Sequence, residues 1–147
     1  MATKRKATAV WSGTGLEGTG TLQTQNNFFN KTPYSFKTRF QNEDGQQGTN
    51  PEELIAAAHA GCFAMALSFA VTEAGFTADE LKVDAEVALD AVEGGFGITG
   101  ITLKLQGKVT GMDEAKFQEL ANGAKTGCPI SKALSAVPIT LESNFTA

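Results

Sequence analysis

Cysteine, histidine and basic charge are all scarce in this 147-residue chain. It has two cysteines, Cys62 and Cys128, and one histidine, His59. Two thiols and one imidazole without close ligand spacing do not make a zinc site. The 12 Lys and Arg are outnumbered by 16 Asp and Glu, for a net charge of −4. No dense basic stripe is left to displace counterions from phosphates, which excludes a general nucleic-acid binder. The amino-terminal stretch from Met1 to Trp11 is basic but has no apolar run of the secretory kind. The expected compartment is therefore cytoplasmic and reducing, where a cysteine pair is more often catalytic, redox-sensing or metal-binding than structural.

Only one long uncharged run is present, the 19 residues from Leu54 to Thr72. That length is where a membrane span must be considered. Seven of these residues are Ala, and His59, Gly61, Ser68 and Thr72 interrupt the apolar character. The expectation is a helix buried on all sides inside a soluble protein, with no membrane partner. A chain of this length forms a single domain that buries about two thirds of its unfolded surface, so no disulfide is needed for folding.

The chain order reads as α+β. Ala7 to Trp11, Gly20 to Thr24 and Tyr34 to Phe40 carry strand signals, the last alternating with Tyr34, Phe36, Thr38 and Phe40 on one face. Residues 41–48 form a polar loop. Asn50-Pro-Glu-Glu53 is a helix start: Asn50 caps, Pro51 fits the first turn, and Glu53 closes a capping box. This helix runs to about Ala74 and stops at Gly75. Strands follow over Leu81 to Leu89 and Ile98 to Val109, then a helix capped by Asp113 and ending at Gly127. A short helix begins at Pro129, and Val137 to Phe145 forms the last strand. Without regular βαβ alternation the sheet is expected to be antiparallel, packed on the long central helix. One small sheet cannot cover that helix on every side, so a homodimer is expected.

Cys62 lies inside the long helix, and Cys128 in Lys125-Thr-Gly-Cys-Pro-Ile-Ser131, between one helix end and the next helix start. The thiolate is the reactive form of cysteine, and an ordinary thiol titrates near pH 8.5. Cys62 is too far from its helix N-terminus to be helped by it. His59, one turn earlier, is only fractionally charged at neutral pH and less so when buried. An arginine keeps its charge, which makes Arg39 the attractive candidate. Its guanidinium needs a carboxylate partner when desolvated. Glu52 lies about 15 Å along the helix from Cys62, too far to touch the sulfur but able to hold the far side of an arginine. Cys128, just before a helix start, is suited to be a resolving or leaving thiol. Plainer readings stand beside these. A buried cysteine serves as a small apolar residue, a lone histidine as a satisfied core residue, and Glu52 as a complement to the helix dipole.

The stretches Tyr34 to Phe40, Gly48 to Leu67, Ala74 to Phe76 and Ala124 to Ser131 together resemble the OsmC/Ohr family of thiol peroxidases. The arginine in Lys37-Thr-Arg-Phe40 places the resemblance on the OsmC branch. That resemblance implies an intertwined homodimer with active sites at the subunit interface. In it Cys62 is the peroxidatic cysteine, Cys128 the resolving cysteine, Arg39 the thiolate-stabilising cation, acting in trans, and Glu52 its carboxylate partner. The implied cycle reduces an organic hydroperoxide, and hydrogen peroxide more weakly, through a Cys62 sulfenic acid and a Cys62–Cys128 disulfide. A dithiol such as a lipoyl group restores the thiols, and no cofactor or metal takes part. Two other functions remain open: a redox sensor using the same disulfide without turnover, and a structural dimer with inert cysteines.

Overall fold

The computed structural model describes residues Met1–Ala147, which divide into two compact units, Met1–Leu54 and Ile55–Ala147. In the first, strands β1 (Ala7–Ser12), β2 (Thr19–Thr24) and β3 (Thr32–Tyr34) form an antiparallel sheet in that order. Gly20 pairs with both Trp11 and Tyr34, whose rings meet at 5.5 Å. A Cβ at Gly20 would collide with both rings, so glycine is what lets them close over the middle strand.

The expected strand over Tyr34 to Phe40 is corrected here: β3 ends at Tyr34, and Phe36–Phe40 is a short helix, α1. Ser35 caps it in a reciprocal box with Thr38, each side chain bonding the other's backbone N–H. Phe36 and Phe40 sit four residues apart, a spacing that suits both a strand face and one helix face. The cap decides between them, and the two rings then pack at 4.9 Å.

Helix α2 (Pro51–Glu73) starts as expected, with Asn50 Oδ1 accepting from the Glu53 N–H at 2.8 Å. The Glu53 carboxylate, however, accepts from the Thr49 hydroxyl rather than closing the box on Asn50. At the other end Gly75 has φ +89°, and the bonds from Gly75 N to Thr72 O and from Phe76 N to Val71 O make a Schellman stop.

In the second unit β4 (Glu80–Val92) and β5 (Gly95–Lys108) form a long antiparallel hairpin. Helices α3 (Glu114–Gly127) and α4 (Pro129–Ala133) follow, then β6 (Ile139–Thr146). β6 runs parallel to β5, which corrects the expectation of a wholly antiparallel sheet. Two intervening helices form a crossover that returns the chain to the same end of the sheet, and a crossover makes its strands parallel. Asp113 caps α3 as expected, accepting from Lys116 N–H at 2.8 Å.

The core of this unit is built by Phe63, Leu67 and Val71 of α2, Ile101, Leu103 and Leu105 of β5, and Phe117, Ala121 and Ala124 of α3. Burying each large apolar side chain contributes about 1.5–3 kcal/mol. The Phe117 ring lies over Gly107 and stacks on Phe145 at 4.6 Å. The expectation that α2 is buried on every side is not met in the single chain. Its buried residues are His59, Phe63, Leu67 and Val71, one stripe at four-residue spacing, while Met65 and Phe69 are each 64% exposed. By length and composition this helix could cross a membrane, yet its inner stripe is committed to the core of the second unit.

Candidate active site

The four residues singled out from the sequence occur as two pairs, one in each unit. In the second unit α2 carries Cys62 one turn after His59, on the same helix as the core stripe. Gly127 ends α3 and Pro129 starts α4, so Cys128 serves as C-cap of one helix and N-cap of the next. Both thiols are free, and their sulfurs are 2.7 Å apart. Cys128 is wholly buried, whereas Cys62 is only partly so.

At that separation a thiol proton of one sulfur lies against the other, and their surroundings decide which sulfur ionises first. Burial pushes the Cys62 thiol up, and its hydrogen bond with Cys128 adds to this against a smaller opposing effect of the Ile130 N–H. For Cys128 burial is the largest single influence and also acts upward. It is outweighed by the combined donors at this sulfur: the Cys62 thiol, the N–H and hydroxyl of Ser131, and the Ile130 N–H. These groups surround the sulfur without closing a regular capping bond. The net result lowers Cys128 and raises Cys62, so in the second unit alone Cys128 is the sulfur that gives up its proton first.

His59 is fully buried, and its Nε2 lies 2.7 Å from Ser131 Oγ. Burial lowers its pKa, keeping the ring neutral. Ser131 is the functional residue that sequence reading missed. Its only signal is its place three residues after Cys128, on the turn that Cys128 caps.

In the first unit Arg39 of α1 meets Glu52 in the first turn of α2 through two bonds, Nε to Oε2 at 3.2 Å and Nη2 to Oε1 at 2.6 Å. Glu52 is mostly buried, its side chain 11% exposed, while that of Arg39 is 36% exposed. The carboxylate takes the side edge of the guanidinium and leaves Nη1, with one hydrogen of Nη2, available to another anion. The guanidinium also stands 5.0 Å from the centre of the Phe40 ring. Beside it is a cavity of about 120 Å³ lined by Trp11, Tyr34, Phe36, Phe40 and Pro51.

An α+β chain with two free thiols in contact, one buried and one partly exposed, falls in the class of two-cysteine thiol proteins. Residues 43–142 match the model of the family described as OsmC-like protein, and the chain belongs to that family. It is 47% identical to peroxiredoxin OsmC of Escherichia coli over 142 residues, covering 97% of this chain and 96% of that protein. Organic hydroperoxide resistance protein OhrB of Bacillus subtilis is 43% identical over 93 residues, 62% of this chain and 65% of that protein. The crystal structure of OhrB matches the fold with a TM-score of 0.74 at 31% identity, over 95% of this chain and 98% of that one. The OsmC-like protein of Mycoplasma pneumoniae shares the fold over the full length of both chains, with a TM-score of 0.77 at 17% identity. The family resemblance and the α+β class read from the sequence are borne out.

Proposed function

We propose that this protein is a cysteine-based peroxidase that reduces organic hydroperoxides, with Cys62 as the attacking thiol and Cys128 as the resolving one. The observation that carries this reading is the sulfur pair, 2.7 Å apart, with Cys128 wholly buried and Cys62 partly exposed. A peroxide must reach its nucleophile, so access selects Cys62. Charge selects Cys128 for the second step, since it is the sulfur already favoured as thiolate. The relatives named for peroxiredoxin activity and organic hydroperoxide resistance support the same chemistry.

Cys62 then lacks a cation, and Arg39 supplies it. The guanidinium draws the charge onto Cys62 and holds the peroxide, while Glu52 keeps the fork in place. The Cys62 thiolate attacks the terminal peroxide oxygen, the O–O bond breaks, and the alkoxide leaves and takes a proton to become the alcohol. The Cys128 thiolate attacks the sulfur of the Cys62 sulfenic acid, expelling hydroxide, which is protonated to water as the disulfide forms. A dithiol of the lipoyl type reduces the disulfide by two exchanges, becoming a cyclic disulfide itself. The exposed apolar side of α2 at Met65 and Phe69 is covered in this reading by a second copy, whose Arg39 acts in trans. The cycle operates in a reducing cytosol, where dithiols recharge it.

Steady-state consumption of an alkyl hydroperoxide with dihydrolipoamide is the test. Turnover is expected, with Cys62→Ser reduced to the uncatalysed background. A single stoichiometric turnover in the unsubstituted protein would overturn the proposal in favour of a redox sensor.

A further inference from the structure

The peroxidase cycle described above makes no use of the buried histidine. His59 is 0% exposed and Ser131 is 6% exposed, and the 2.7 Å contact between them joins residues 72 positions apart in sequence. The other ring nitrogen, Nδ1, is buried with no hydrogen-bond partner. A buried unpaired polar atom costs about 1–3 kcal/mol, so its retention calls for an explanation.

The unpaired nitrogen also fixes the direction of the contact. An orphaned buried N–H is rarer than an orphaned acceptor. The proton is therefore assigned to Nε2, which donates to Ser131 Oγ. A serine hydroxyl has one hydrogen, and with its oxygen occupied by the histidine N–H that hydrogen is free for a second acceptor. Ser131 stands three residues after Cys128 on the turn that Cys128 caps, and its hydroxyl is among the groups that act on that sulfur.

We propose that His59 and Ser131 are positioning residues for the resolving step: His59 Nε2–H donates to Ser131 Oγ, and the Ser131 hydroxyl donates to the Cys128 sulfur, holding it as a thiolate. This rests on the two-cysteine peroxidase reading. The donors favouring a charged Cys128, with the Ser131 hydroxyl among them, agree with it. Burial keeps the imidazole neutral, so it acts as a fixed dipole and not as a base.

The relay serves both halves of the cycle without moving a proton. When Cys128 attacks the Cys62 sulfenic acid, its electron pair forms the S–S bond and the Cys62 S–O bond breaks with loss of hydroxide. When an external thiolate later attacks the Cys62 sulfur, the more accessible of the two, the S–S electron pair returns to Cys128. A leaving thiol of lower pKa departs faster, so the same two hydrogen bonds favour release of Cys128 and direct the mixed disulfide to Cys62.

The test separates this relay from general packing. In a Cys62→Ser background the thiolate of Cys128 is followed by its ultraviolet absorbance, with Ser131→Ala, His59→Leu and His59→Gln added one at a time. A hydrogen bond to a charged group is strong enough that losing it lowers the thiolate fraction about tenfold at neutral pH. That loss is expected for Ser131→Ala and His59→Leu, whereas His59→Gln keeps an N–H donor and restores it. With both cysteines present, Ser131→Ala is expected to close the disulfide about tenfold more slowly after one peroxide addition, so that dimedone traps Cys62 sulfenic acid. An unchanged thiolate titration in Ser131→Ala, or a His59→Gln protein no better than His59→Leu, would overturn the relay. Failure of the peroxidase reading itself is seen separately, as two free, unmodified thiols in the unsubstituted protein after the peroxide addition.

Discussion

The first unit holds a pair of opposite charges, a partly exposed Arg39 and a mostly buried Glu52, beside an aromatic cavity. The second holds a pair of sulfurs that lie against each other, two backbone N–H groups and a serine hydroxyl, with no cation among these partners. Burial alone raises a thiol, so the sulfur pair by itself cannot make Cys62 a good nucleophile. A guanidinium by itself has no electrons to give a peroxide. In the proposed cycle the nucleophile and its activating cation are therefore built on different supports. There the second unit favours charge on the resolving sulfur, and the cation is what shifts it to the attacking one.

The strongest way to break this comparison is to spoil each half separately. Arg39→Lys keeps a positive charge but loses the fork that grips Glu52 while offering its far edge, and peroxidase activity is expected to fall about 10²-fold. If the cation acts in trans, co-expressing Arg39→Lys with Cys62→Ser forms mixed dimers with one intact site each. Peroxide assays should then recover a substantial part of the lost activity. No loss in Arg39→Lys would mean the comparison has named the wrong cation, and no recovery in the mixture would mean the arginine serves its own subunit.

A smaller effect sharpens the neutral character of the second unit. His59 has a lowered folded pKa, so the unfolded chain binds its proton first as the pH falls. The sign follows from that: the stabilising contribution is fully present above the unfolded value of about 6.5 and is lost as the pH drops below it. Urea unfolding between pH 7 and pH 5 should show a decline with a slope of at most about 1.4 kcal/mol per pH unit, removed in His59→Gln. A pH-independent stability in the unsubstituted protein would contradict a buried neutral imidazole.

Much of this arrangement can be read from local signals. Asn50 and Pro51 mark the start of α2 and Asp113 that of α3, because capping is decided within a few residues. Gly127 and Pro129 locate Cys128 at a helix junction for the same reason. The misreading of Phe36–Phe40 as a strand has a local cause too. Aromatic residues four apart satisfy both periods, and the Ser35–Thr38 box that decides is short and made of ordinary residues. What a sequence pattern does not carry is the path between elements. The parallel direction of β6 depends on how α3 and α4 cross the sheet. The role of Ser131 emerges only when α2 brings His59 to it from 72 residues away.

The central claim is that Cys62 and Cys128 are a working pair, one attacking and one resolving. Mass spectrometry of the purified protein after one equivalent of alkyl hydroperoxide tests it most directly. The expected result is a loss of two hydrogens on a peptide pair linking Cys62 to Cys128, replaced in Cys128→Ser by oxygen added at Cys62. Two free, unmodified thiols after peroxide treatment would contradict it.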